Sequence, residues 1–249
     1  MIERTDRDGV AVLRLAHGKA SALDLELLGE MRRHLAALAD SDVAALVLTG
    51  TGGIFSAGVD LFRMVNEGEP YVRRFFPAMV DAFSDLFMFP RPVIAAVNGH
   101  AIAGGAIVVA ACDYRIMATG KGRFAIPELM VGVPFPALAL EIVRFGSPSQ
   151  HVEDLVYTGT SLTPAEALER GLIQEIAGPD GLLDRAVAVA AEIGSKPRDA
   201  FRLTKRQLRA PFAARAREFA AADQEALAIW SSAATHQHIR AYLERTLGK

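Results

Sequence analysis

Two short loops carry the groups from which chemistry could be built. "HAIAGGAIVVAACD" (100–113) sets two glycines ahead of an apolar run, and nothing from Ala101 to Cys112 bears a charge, an amide or a hydroxyl. "GIFSAGVDL" (53–61) places Ser56, Ala57 and Gly58 before Val59. Each loop follows a strand-like segment, and small residues let main chain approach a ligand with no Cβ in the way. Two such loops at strand ends can each aim one N–H at a single point, which makes an oxyanion hole from backbone. Each alone has a plainer reading: a tight turn for "GTGGIFSAG", close helix packing for "AIAGGA". Neither has the spacing of a Walker A phosphate loop, and "AIAGGA" lacks that of a dinucleotide-binding G-x-G-x-x-G.

The elements that must hold these loops follow from periodicity. "VAVLRL" (10–15) alternates as a strand does. Ser21 to Asp24 has the form of a capping box, and Leu25, Leu28, Met31, Leu35 and Leu38 predict an amphipathic helix over 24–39. "VAALVLTG" (43–50), "RPVIAAVNG" (91–99) and "DYRIMA" (113–118) read as strands, the first two buried. Residues 70–87 form a second amphipathic helix whose face carries Tyr71, Phe75, Met79, Phe83 and Phe87. A further helix is expected from about Gly105. Thr163, Pro164 and Glu166 occupy N-cap, N1 and N3 of a helix closed by Gly171. From Pro197 onward the chain is read as helical, with a break at Pro211. The rhythm of strand, loop, helix and strand predicts an α/β layered fold. We place the boundary between an α/β core (1–195) and a helical extension (196–249) at Lys196–Pro197.

The 249 residues can bury a sizeable core, and the net charge of −2 argues against nucleic acid or an anionic membrane surface as partner. Charge is divided unevenly: from Lys196 onward the balance is +6, against −8 before it. That basic segment could meet a phosphorylated small molecule or simply be a solvated helix face. Cys112 stands alone, so neither a disulfide framework nor a thiolate metal site is expected, and it reads as an inert core thiol. No His, Asp and Glu cluster has ligand spacing, and no metal is expected. The apolar run 101–112 is short of the roughly 20 residues that span a bilayer. The first residues lack the layout of a signal peptide, and a cytoplasmic location is expected.

"FSAGVDL", "RPVIAAVNGHAIAGGAIVVAACDYRIMA", "FAIPELMVG" and "LTPAEALERGLIQEI" resemble, in order and spacing, the enoyl-CoA hydratase/isomerase (crotonase) family. The resemblance implies a crotonase-like spiral of β-β-α turns, with C-terminal helices that cover the active site and build a homotrimer or a dimer of trimers. It also implies an acyl-CoA thioester ligand, with coenzyme A part of the substrate and no separate cofactor. The family's oxyanion donors map onto the N–H groups of Val59 and Gly104. Its CoA contacts map onto the 19–23 loop, with Lys19, Ala20 and Ala22, and onto Ser56, Ala57, Gly58, Asp60 and Leu61. Gly105, Phe76 and Phe135 complete the substrate-binding set; the stripe of Phe75, Phe76, Met79 and Phe83 reads either as core, the commoner role of an apolar helix face, or as the lining of an acyl tunnel. Ser21 stands where many relatives carry asparagine.

Hydratases of the family use two carboxylates, one three residues after the glycine loop and one in a "PE" pair. The second is present here as Glu128, whereas the first position is Ile107. Losing a positioned acid or base removes about 10²–10⁴ in rate, so water addition by the usual route is disfavoured. A Δ3–Δ2 enoyl-CoA isomerase needs one carboxylate and no water. "CDYRIMA", Pro134-Phe135 and "DAFRLTKRQLR" are also closer to the mitochondrial isomerases. The expected activity is therefore double-bond isomerisation by Glu128. The alternatives are a hydratase, or another acyl-CoA enzyme, with an acid from elsewhere (Asp81 or Glu69 on the covering helix), and a non-catalytic acyl-CoA-binding protein. Lys205 is weighed as a CoA phosphate contact or a solvated helix residue. His100 is read as packed or on the surface, and Trp230 as a core or subunit contact.

Overall fold

The computed structural model describes residues 1–247. A hairpin of β1 (Ile2–Arg7) and β2 (Val10–Leu15) leads into helix α1 (Leu25–Ala39). Three turns of a spiral follow. The first is β3 (Ala45–Thr49), β4 (Ile54–Ser56) and helices α2 (Leu61–Glu67) and α3 (Glu69–Phe87). The second is β5 (Val93–Val97), β6 (His100–Ile102) and α4 (Gly104–Ala110), and the third is β7 (Tyr114–Ala118), β8 (Phe124–Ala125) and α5 (Glu128–Val131). Helices α6 (Ala137–Gly146), α7 (Ser149–Thr158) and α8 (Pro164–Glu169), strand β9 (Glu175–Ala177) and α9 (Leu182–Gly194) complete the core. The chain continues as α10 (Arg198–Glu218), α11 (Ala220–Trp230) and α12 (Ala233–Leu247).

Each spiral turn gives one strand to each of two sheets. The larger runs β1-β2-β3-β5-β7-β9, parallel except for β1, and the smaller runs β4-β6-β8. This is the expected β-β-α spiral. The larger sheet is covered on both faces, which is why its middle strands are continuously apolar rather than alternating. Leu46 and Leu48 face the main core, while Ala45 and Val47 face α9 through Ala186 and Ala190. Strand β1 escapes the periodicity reading because only Ile2 is buried; its charged residues protect a sheet edge. Among the described residues no helix is long and apolar enough to cross a membrane.

Two local expectations are corrected. Asp24, not Ser21, caps α1, accepting the Leu27 N–H at 2.8 Å. Ser21 instead lies in the left-handed region (φ 42°), a conformation asparagine tolerates well, and donates its hydroxyl to the Leu15 carbonyl. Pro211 does not break α10, which runs through it. Packing on either side outweighs the proline penalty of about 3 kcal/mol: Arg209 is buried before Pro211, Phe212 meets Phe145 edge-on, and Arg215 pairs with Glu141. The capping box at Thr163 and Glu166 forms as expected.

Lys205 is neither solvated nor free for a phosphate. It is 5% exposed and donates to Asp113 at 2.6 Å and to the Arg91 carbonyl at 2.9 Å. Arg209, 1% exposed, reaches the other oxygen of Asp113 at 2.6 Å and stacks over Phe87 and Phe145. The basic balance of the extension is thus partly an internal charge cluster that docks α10 on the core.

Candidate active site

The glycine loops meet through their main chains. Leu23 donates to the Gly58 carbonyl at 2.7 Å and accepts from Asp60 at 3.0 Å, so the parallel bridge leaves the intervening Val59 N–H and C=O turned away from it. Gly58 has φ 80°, and a Cβ there would lie 2.7 Å from the Ile102 carbonyl and 2.9 Å from the Gly104 nitrogen. Only glycine allows that approach. Gly104 is the first residue of α4, where an N–H has no partner within the helix. Among the described residues neither the Val59 nor the Gly104 N–H meets a backbone acceptor. Ala103, just before Gly104, is held at φ 52°, ψ −127°, a non-glycine strain of the kind that persists where surrounding structure over-determines it.

These loops open onto a cavity of about 420 Å³. Val59, Ile102, Gly104 and Ile107 form one side, Met79 and Phe83 of α3 another, and Pro127, Glu128, Val131 and Val133 a third. Ala20, Ala22, Ala57, Asp60 and Leu61 also line it. Glu128 sits at the start of α5 and is 6% exposed; its Oε2 has no hydrogen-bond partner among the described residues. Burial away from any cation pushes its pKa up to about 8. Ile107 stands in the same wall, 3% exposed.

Several expected contacts lie outside the cavity wall. Ser56 is fully buried, its hydroxyl donating to the Ser21 carbonyl and accepting from Gly58, so it ties the loops together rather than facing a ligand. Gly105 serves packing, because a Cβ would come within 2.4 Å of the Ser56 carbonyl oxygen. Phe76 packs edge-on against Trp230, and Phe75 stacks between Tyr71 and Trp230, so only Met79 and Phe83 of the expected tunnel line the space. Phe135 packs half-buried against the core, and Lys19 is exposed. Asp81 and Glu69 turn outward to Arg32 and Arg73, which removes them as replacement acids. Asp60 is the other carboxylate in the wall among the described residues, and one of its oxygens caps α2.

Residues of the C-terminal helices also reach the cavity. Trp230, Tyr242, Leu243 and Thr246 close the cavity from the same chain. Trp230 is thus a core contact and a cavity wall together.

The family profile described as enoyl-CoA hydratase/isomerase matches residues 5–247. The chain belongs to the enoyl-CoA hydratase/isomerase family. Its fold is that of the crotonases, and members act on acyl-CoA thioesters. The human mitochondrial delta3-delta2-enoyl-CoA isomerase superposes with a TM-score of 0.93 at 26% identity, covering 99% of this chain and 98% of that one. Rat mitochondrial enoyl-CoA delta isomerase 1 is 30% identical over 84% of this chain and 73% of its own length. A putative enoyl-CoA hydratase from Thermus thermophilus is 35% identical over 68% of each chain. Similar proteins of this family therefore carry both activities in their names.

Proposed function

We propose that this member of the hydratase/isomerase family moves the double bond of a 3-enoyl-CoA to the 2-position, with Glu128 as the sole proton shuttle. The observation that carries the reading is a buried carboxylate, its Oε2 without a hydrogen-bond partner, in a largely apolar wall that also holds Ile107, the position where the resemblance puts a hydratase's second carboxylate. Glu128 takes a proton from C2, and the electrons of that bond pass to the thioester oxygen, held by the Val59 and Gly104 N–H groups. The dienolate collapses back to the carbonyl as the C3–C4 π electrons take the proton at C4 from Glu128, leaving the double bond at C2–C3. No water enters, and a dry wall keeps the carboxylate basic. The same proposal includes an acyl-CoA ligand with no separate cofactor and a trimeric or hexameric assembly.

Purified protein assayed with a 3-enoyl-CoA and with crotonyl-CoA tests this. Double-bond migration without appreciable hydration is expected; hydration of crotonyl-CoA with no migration overturns it. Because the base must be ionised, kcat/KM should climb about tenfold per pH unit at low pH and level off near pH 8. A profile flat from pH 6 to 9 removes Glu128 from the chemistry. Gly58→Ala tests the main-chain donors. The added Cβ presses on Ile102 and Gly104, so loss of one aligned donor should lower kcat by about 10²–10³-fold. Wild-type kcat in a folded Gly58→Ala protein contradicts that role.

A further inference from the structure

The Glu128 carboxylate has no hydrogen bond at Oε2 to orient it, so its direction is set by the backbone that carries it. That backbone is a single helical turn. Gly132, at φ 88°, ends α5 and lets the Val133 N–H return to the Glu128 carbonyl at 3.0 Å and the Gly132 N–H to Leu129 at 3.2 Å, a Schellman turn. So short a helix is not self-sustaining, since few hydrogen bonds offset the dihedrals it fixes.

Side chains from the C-terminal helices grip this segment at three points. His238 of α12 brings Nε2 to 3.1 Å from the Met130 carbonyl, and its ring lies over Gly132, where a Cβ would stand 2.8 Å from Cδ2. Trp230, the last residue of α11, donates its indole N–H to the Pro134 carbonyl at 2.8 Å. Asp223, also on α11, accepts the Ala137 N–H at 2.7 Å where α6 begins. Trp230 is itself fixed by Phe75 and Phe76, and its carbonyl lies 2.9 Å from the Nε2 of buried His236.

We infer that Trp230 and His238 are positioning residues for the proton shuttle: by clamping residues 130–134 they set where the Glu128 carboxylate stands over the acyl chain. This rests on Glu128 acting as proposed above. It gives the C-terminal helices a role in the chemistry of their own subunit, beyond walling the cavity.

His238→Ala, His238→Gln and Trp230→Phe test the inference. His238 is exposed and outside the cavity wall, so its loss should leave the thermal midpoint near that of the parent. Hydrogen exchange of the peptide spanning 128–137, read by mass spectrometry without substrate, should quicken in His238→Ala. It should recover in His238→Gln, whose amide can reach the same carbonyl. With the enoyl-CoA that the parent turns over, kcat should fall about tenfold or more in His238→Ala while KM changes little, and in Trp230→Phe, which also reshapes the cavity wall, kcat should fall as far. Misplacing a reacting group by about 1 Å can remove as much as 10²-fold. Unchanged exchange overturns the clamp, and quickened exchange with unchanged kcat overturns its role in positioning. A parent inactive on 3-enoyl-CoA but showing the exchange effect overturns the isomerase reading and leaves the clamp standing.

Discussion

Replacing Glu128 by glutamine should remove turnover while leaving acyl-CoA binding intact. Glutamine keeps the shape and the cavity wall but cannot carry the proton, and a lone positioned acid/base is worth about 10²–10⁴ in rate. The same substitution should stabilise the fold at alkaline pH, for a reason that can be signed. Burial holds the folded-state pKa near 8, against an ordinary value of 4.5. The stability associated with the protonated carboxyl is therefore complete below pH 4.5 and is lost as pH rises toward 8. Over that window the native protein retains a proton that the unfolded chain gives up, so the wild type weakens by up to about 1.4 kcal/mol per pH unit. Glu128→Gln does not titrate and escapes the loss. Denaturant unfolding of both proteins at pH 5 and pH 8.5 measures it: the curves should lie closer at pH 5, and at pH 8.5 the variant should be the more stable. Turnover retained in Glu128→Gln rules out the shuttle. A variant no more stable at pH 8.5 rules out the raised pKa. Abolished turnover with ligand binding kept also separates an enzyme from a pure binding protein.

The largest stability effect is expected at Asp113, away from the cavity. Asp113 accepts from Lys205, Arg209 and the Val93 N–H, and both cations are almost fully buried. Burial already lowers Lys205 to a pKa of about 8, with Asp113 opposing that fall. Asp113→Ala leaves two cations in the interior without their counter-charge, a change that typically costs about 3–5 kcal/mol. For a chain of this size that corresponds to a thermal midpoint lower by on the order of 10 °C. Adding Lys205→Met to the same protein should recover part of the loss, since removing an unpaired buried charge is favourable. Thermal unfolding of the single and double variants decides it. An Asp113→Ala protein within about 0.5 kcal/mol of wild type, the range usual for surface substitutions, would mean that water reaches the cluster.

What was legible in the sequence was what short patterns encode. Leu25 through Leu38 specify α1 because one face of a helix recurs every three to four residues. The strands β3 and β5 are visible because each lies in a bounded, largely apolar run. Gly58 and Gly104 stand out because few other residues allow such close backbone contact. Family likeness then distinguished Glu128 and Ile107 from other glutamates and isoleucines. Ser21 misled the capping assignment because Ser and Asp are both good caps, and only the folded backbone shows which one has extended geometry.

Sequence alone determined most of the longer helices and strands and the two small-residue loops, properties of neighbours within a few positions, though not β1 or the unbroken course of α10. Tertiary structure decided the rest. Lys205 and Arg209 lie more than ninety residues from Asp113, and no local period announces that they are buried against it. The same holds for Trp230 reaching Pro134 and His238 reaching Met130. The basicity of Glu128 belongs to this class as well, because desolvation depends on every wall that closes around the carboxylate, and those walls come from seven separate stretches of chain.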